Sequence, residues 1–124
     1  MTSNSTRSYK DLIVCQKGIQ LAKLVYSLTR SFPSEEKFGI IAQMRRAAVS
    51  VSSNIAQGQA RHRTGELIQF ILHAEGSVAE LDTQLIICVE RTYVRVEDAD
   101  AVFGLISEVR RMLNTLRRKL AAPG

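Results

Sequence analysis

From Asp11 to Arg30 the polar residues Gln16, Lys17, Gln20, Lys23, Ser27 and Arg30 recur every three or four positions. That is the helical period, and the wet stripe it makes leaves a wide apolar arc behind it. Leu12, Cys15, Ile19, Ala22 and Tyr26 fill one ridge of the arc, and Val14, Leu21, Val25 and Leu28 the next. An arc so wide suits a helix that contacts more than one neighbour. Ser8 followed by Asp11 resembles a capping box, which predicts a first helix over about 9–30 behind a mobile Ser/Thr/Asn-rich tail, residues 1–7.

Phe32-Pro33-Ser34 interrupts this pattern, and Ser34 is a natural N-cap with Glu35 and Glu36 complementing the helix dipole behind it. The second helix, about 34–57, then carries Phe38, Ile41, Met44, Ala48, Val51 and Ile55 on one face. Its middle, Ala47 to Ala56, is rich in alanine and serine, so another helix can approach it closely. Gly58 reads as the C-terminal stop. After the basic connection Gln59-Ala60-Arg61-His62-Arg63, Thr64 is the expected N-cap of a third helix over 64–92. There Leu67, Ile71, Ala74, Val78, Leu81, Leu85 and Cys88 alternate four and three apart, the spacing of a long helix packed at about 20° to its neighbours. A last turn leads to Glu97, Asp98 and Asp100, an acidic start for a fourth helix over 97–120. Its core stripe is Val102, Leu105, Ile106, Val109, Met112, Leu113, Leu116 and Leu120, and residues 122–124 are expected to fray. Nothing alternates with the period of a strand. Four helices on short loops predict an all-α fold, an elongated up-down antiparallel four-helix bundle spanning residues 8–121.

The bulk properties fit that reading. A chain of 124 residues suits one domain and buries roughly two thirds of its unfolded surface, enough for a core without disulfides or metals. Cys15 and Cys88 both fall inside apolar helical patterns and read as buried thiols of a reducing compartment. The N-terminus lacks the apolar core of a signal peptide, and no apolar run approaches the roughly 20 residues of a membrane span. These features predict a cytoplasmic protein.

Candidate chemistry is sparse. His62 sits among arginines and His73 lies off the heptad seam, so neither is placed to serve as a catalytic base. No HExxH, CxxC or paired Glu-xx-His pattern is present, which predicts no metal and no cofactor. Glu75 and Glu80 are five apart and leave a helix in different directions, so they do not form an acid–base pair. The chain is therefore expected not to be an enzyme.

The net charge of +5 changes the picture, because much of it is arginine in clusters. Arg110 and Arg117 lie two turns apart on the fourth helix, as do Arg111 and Arg118, with Lys119 beside them. Arg45 and Arg46 make a second cluster and Arg61 and Arg63 a third. Arginine's planar fork grips phosphate bidentately, so these residues are the candidate nucleic-acid contacts. A solvated surface paired with Glu35, Glu36, Glu97 and Glu108 is the alternative. No aromatic residue is interleaved with the arginines, which argues against base stacking and for contact with backbone and shape.

The runs Gln43-Met44-Arg45-Arg46-Ala47-Ala48-Val49-Ser50-Val51, Ser53-Asn54-Ile55-Ala56-Gln57-Gly58 and Ala74-Glu75-Gly76-Ser77-Val78-Ala79-Glu80-Leu81, with Phe32-Pro33 and Glu66-Leu67-Ile68-Gln69-Phe70, resemble a bacterial family. It comprises four-helix-bundle proteins encoded in intervening sequences of large-subunit ribosomal RNA genes, and includes accessory variability proteins of diversity-generating retroelements. The resemblance extends from about Tyr9 to Leu120. It departs at Cys15, where tryptophan is usual, at Ser52, where proline is common, and at Gln57, where glutamate is normal. The resemblance implies a homopentameric ring and, in the retroelement branch, a basic surface that meets nucleic acid and a reverse transcriptase. The combined expectation is a non-enzymatic oligomer that binds RNA or DNA through arginine-rich helix faces. The alternative is a scaffold docking an acidic protein partner such as a reverse transcriptase.

Overall fold

The computed structural model describes residues 5–123, with side chains from 13 onward. Four helices follow in order: α1 (Ser5–Thr29), α2 (Ile40–Gln59), α3 (Thr64–Glu90) and α4 (Val96–Ala121). Each packs on the next and α4 returns to α1, with no diagonal contact among the described residues. This is the closed square of a four-helix bundle. At 1.5 Å per residue α3 is about 40 Å long, which makes the bundle elongated.

The α3 heptad lies at the centre. All seven predicted positions, Leu67 through Cys88, are buried, because a four-three spacing holds one stripe toward the bundle interior between α2 and α4. Val14, Leu21 and Val25 of α1, Ile41, Met44, Ala48, Val51 and Ile55 of α2, and Val102, Ile106, Val109 and Leu113 of α4 close around it. The other predicted ridge of α1 stays outside: Cys15 and Ala22 are half-buried, and Ile19 and Tyr26 are 45% and 42% exposed.

Helix ends differ from expectation in four places. α1 already includes Ser5 to Ser8, so Ser8 is inside the helix and not its cap; the expected tail otherwise falls on residues 1–4, outside the described residues. Ser34 does not cap α2. Ser34–Glu36 form a separate 3₁₀ turn, and the α-helix begins after Gly39, which leaves Phe38 90% exposed instead of in the core. Thr64 is the first residue of α3, while Arg63 takes the cap position and no side chain bonds the first turn. Gly58 does not stop α2; the helix runs on to Gln59, and Gly58 is buried where α3 crosses. A Cβ there would stand 2.9 Å from Leu67 Cδ1 and 3.0 Å from Phe70 Cβ, so only glycine permits this approach. Beyond α4, Ala122 and Pro123 are exposed and non-helical, and Gly124 lies outside the described residues.

The α3–α4 turn closes without glycine. Tyr93 N–H donates to Cys88 C=O at 2.9 Å and Thr92 N–H to Val89 C=O at 3.0 Å, the Schellman pattern, with Thr92 at φ 60° in the left-handed position. Tyr93 then packs its ring 5.8 Å from that of Phe32 and donates its hydroxyl to Glu36 Oε2 at 2.8 Å. One aromatic thus ties both crossovers at this end together.

Candidate nucleic-acid interface

The predicted basic residues do not share one face. On α4, residues 110 and 117 are two turns apart and point toward α3. Arg110 pairs with Asp82 at 3.1 Å, and Arg117 is held by both oxygens of Glu75 at 2.7 and 3.3 Å. That hydrogen bond, then the carboxylate's charge, holds the Arg117 guanidinium still more firmly protonated. Arg111 donates to Ser107 at 2.7 Å and, with Lys119, flanks a cleft of about 410 Å³ between α1 and α4, floored by Ile13, Val14, Met112 and Leu116. Arg118 is exposed and has no ion pair or hydrogen bond among the described residues.

Arg45 is absorbed by the fold. Its Nε donates to Thr29 Oγ1 at 3.0 Å, its Nη2 to the Tyr26 carbonyl at 3.4 Å, and its guanidinium lies 4.6 Å over the Tyr26 ring. Thr29 Oγ1 in turn donates to Val25 C=O at 2.8 Å. Arg45 thus satisfies the last turn of α1, where unpaired carbonyls and the dipole favour a cation. Arg46, its neighbour in sequence, points outward beside Phe38 and Val49.

What the topology brings together is different. An up-down bundle places the end of α2, the start of α3 and the end of α4 at one pole. The Arg117–Glu75 bridge sets the register, because Glu75 lies about 16 Å along α3 from its start. Arg61 and Arg63 in the α2–α3 loop therefore share a pole with Arg117, Arg118 and Lys119. Among the described residues five cations there face two carboxylates, Glu66 and Glu75. The opposite pole sets Arg30, Lys37, Arg91 and Arg95 against Glu35, Glu36, Glu90, Glu97, Asp98 and Asp100. The bundle is basic at one end and acidic at the other. The first-turn amides of α3, uncapped by any side chain, add to the positive end.

One member of this pole went unnoticed in the sequence. The Arg61 guanidinium lies 4.7 Å over the ring of Phe70, and His73 meets the same ring edge-on, centroids 6.2 Å apart. No aromatic is interleaved with the arginines along the chain, yet the fold brings Phe70 against Arg61. Phe70 is nine residues from Arg61 and off the α3 seam, so no spacing rule connects them. The close passage of α3 over Gly58 does.

Two apolar faces stay exposed. Ile19, Ala22, Tyr26 and Val49 form one across α1 and α2, continued by Phe38. Leu72 and Ile86, two heptads apart on the outer side of α3, mark a second, with Ile87 beside Ile86.

Residues 10–115 match the model of the 23S rRNA-intervening sequence protein family, and the chain belongs to that family. A solved structure with the same fold is a protein of unknown function from the S23 ribosomal protein family of Bacteroides thetaiotaomicron VPI-5482. It is 18% identical, with a TM-score of 0.80 over 88% of this chain and 98% of that one. No curated protein matches.

Proposed function

We propose that this member of the 23S rRNA-intervening sequence protein family is a non-enzymatic, self-associating protein that contacts nucleic acid, RNA foremost, through the basic pole of its bundle. The observation that carries this reading is the gathering of Arg61, Arg63, Arg118 and Lys119 at one end. None of the four is engaged in an ion pair among the described residues. Arg45, Arg110 and Arg117 are already committed to partners, so they serve the fold first.

Two exposed apolar faces support self-association. They are different surfaces on different helices, and a patch that meets a dissimilar patch propagates head to tail, closing into a ring when the rotation allows. The family resemblance implies five copies. A ring would place its basic poles on one rim and multiply a modest local charge.

The test is light scattering together with a salt titration of binding to a structured RNA. Reversal of Arg61, Arg63, Arg118 and Lys119 to glutamate should abolish binding and leave the oligomer intact. The wild-type log–log salt slope should be about −3 per chain for four phosphate contacts. A monomer at micromolar concentration removes the ring. RNA binding that survives all four reversals removes the pole, and no binding at physiological salt leaves an acidic protein partner as the occupant of that surface.

A further inference from the structure

We infer that Arg61, Phe70 and His73 form a stacking site for an unpaired nucleobase, which makes the preferred ligand a single-stranded loop or end, not a continuous duplex. The inference rests on the nucleic-acid reading above and names its substrate class. A solvated arginine on a surface loop ordinarily samples many rotamers. Arg61 instead holds its guanidinium carbon 4.7 Å over the Phe70 ring, which restricts the side chain while leaving it exposed. Its guanidinium makes no hydrogen bond or ion pair among the described residues, so its side-chain donors are free for a base edge or a phosphate.

The site is built and not incidental. Phe70 is half-buried, its backbone held by α3, and its Cβ occupies the space beside Gly58 that an added methyl there would crowd to 3.0 Å. The loop folds back by a turn in which Arg61 N–H donates to Gly58 C=O at 3.1 Å, so the same glycine positions both partners. His73, three residues further along α3 and exposed, stands at 69° to the Phe70 ring and borders the site with a second planar group. Every base has a π-face, and arginine planes and aromatic rings are what unpaired bases stack on. Arg63, on the same loop, is available to the adjoining phosphate. A paired duplex offers this platform no face, because its bases are already stacked.

The experiment uses the full-length protein and three RNA probes of equal length: a stem–loop, a fully paired duplex and a uridine-rich single strand. Each is measured with wild type, Arg61→Lys and Phe70→Leu at one salt concentration. A 2-aminopurine placed in the loop reports stacking. Arg61→Lys keeps the charge and lies on an exposed loop, so it tests the plane without threatening the fold; Phe70→Leu keeps the apolar packing. Wild type should bind the loop and single strand about tenfold or more tighter than the duplex and quench the 2-aminopurine. Each variant should lose about five- to thirtyfold on unpaired RNA, little on duplex, and most of the quenching. Equal binding of all three probes, with neither variant changing any of them, overturns the stacking site and leaves the phosphate-binding pole standing. No binding to any probe overturns the pole as well.

Discussion

Substitution of Gly58 by alanine sets two opposed effects against each other, and the structure decides between them. Gly58 is helical, so alanine would ordinarily help: glycine costs about 0.8–1.0 kcal/mol relative to alanine in a helix interior, and less this close to a helix end. The added methyl, however, would stand 2.9 Å from Leu67 Cδ1 and 3.0 Å from Phe70 Cβ. A flexible side chain could yield, but Leu67 is 1% exposed and enclosed by the core. A Cβ moves only with its backbone, so relief at Phe70 requires α3 to shift. Overpacking of this kind costs about 1–3 kcal/mol. Gly58→Ala should therefore destabilise by about 1–2 kcal/mol. Gly104 supplies the control, since it lies inside α4 with nothing within 4 Å of an added Cβ. Gly104→Ala should stabilise by about 0.5–1 kcal/mol. Urea melts at fixed protein concentration, compared by midpoint at unchanged m, measure both. If Gly58→Ala stabilises as Gly104→Ala does, the α2–α3 crossing is loose and does not hold Phe70 under Arg61.

Thr92 holds a left-handed conformation that a β-branched residue adopts at a cost, so Thr92→Gly should raise stability by about 0.5–1 kcal/mol in the same assay; an unchanged or lower midpoint would contradict this. Cys88 is buried against Met44, with its thiol pushed up to about 11 by burial and then by the charge of Glu36. A raised acid favours the folded state while protonated, so that contribution is complete below the ordinary thiol value of about 9 and disappears as pH climbs through about 11. Comparison of wild type with Cys88→Ala should show a wild-type stability loss of very roughly 2–3 kcal/mol confined to that window; parallel curves would refute it. At pH 8 a maleimide should label half-buried Cys15 well before Cys88, and equal rates would mean the core opens readily.

The α3 heptad was fully legible, because a stripe repeated over three heptads has only one way to be buried. The α4 stripe was legible for the same reason, although Met112 and Leu120 sit at its margin. The spacing of Phe38 from Ile41 would place both on one face only if they shared a helix, and Gly39 separates them. Ser34 has the composition of a cap but sits in a 3₁₀ turn, held there by Glu36's bond to Tyr93 across the end of the bundle. Arg45 and Arg46 look equivalent as a dipeptide. They leave α2 about 100° apart, so one clamps α1 and the other faces solvent.

Helical period, four elements, their antiparallel order and the residues of the central core were determined by the sequence alone, because periodic burial is a local property that needs no knowledge of the partner. Which arginines are free was decided only by tertiary structure. Arg110 and Arg117 find carboxylates 28 and 42 residues away on α3, and Arg45 finds the last turn of α1. The basic pole and the Arg61–Phe70 contact likewise exist only once the helices have packed. Charge and planar contact depend on distance in space, and distance along the chain carries little of that information beyond a single helix.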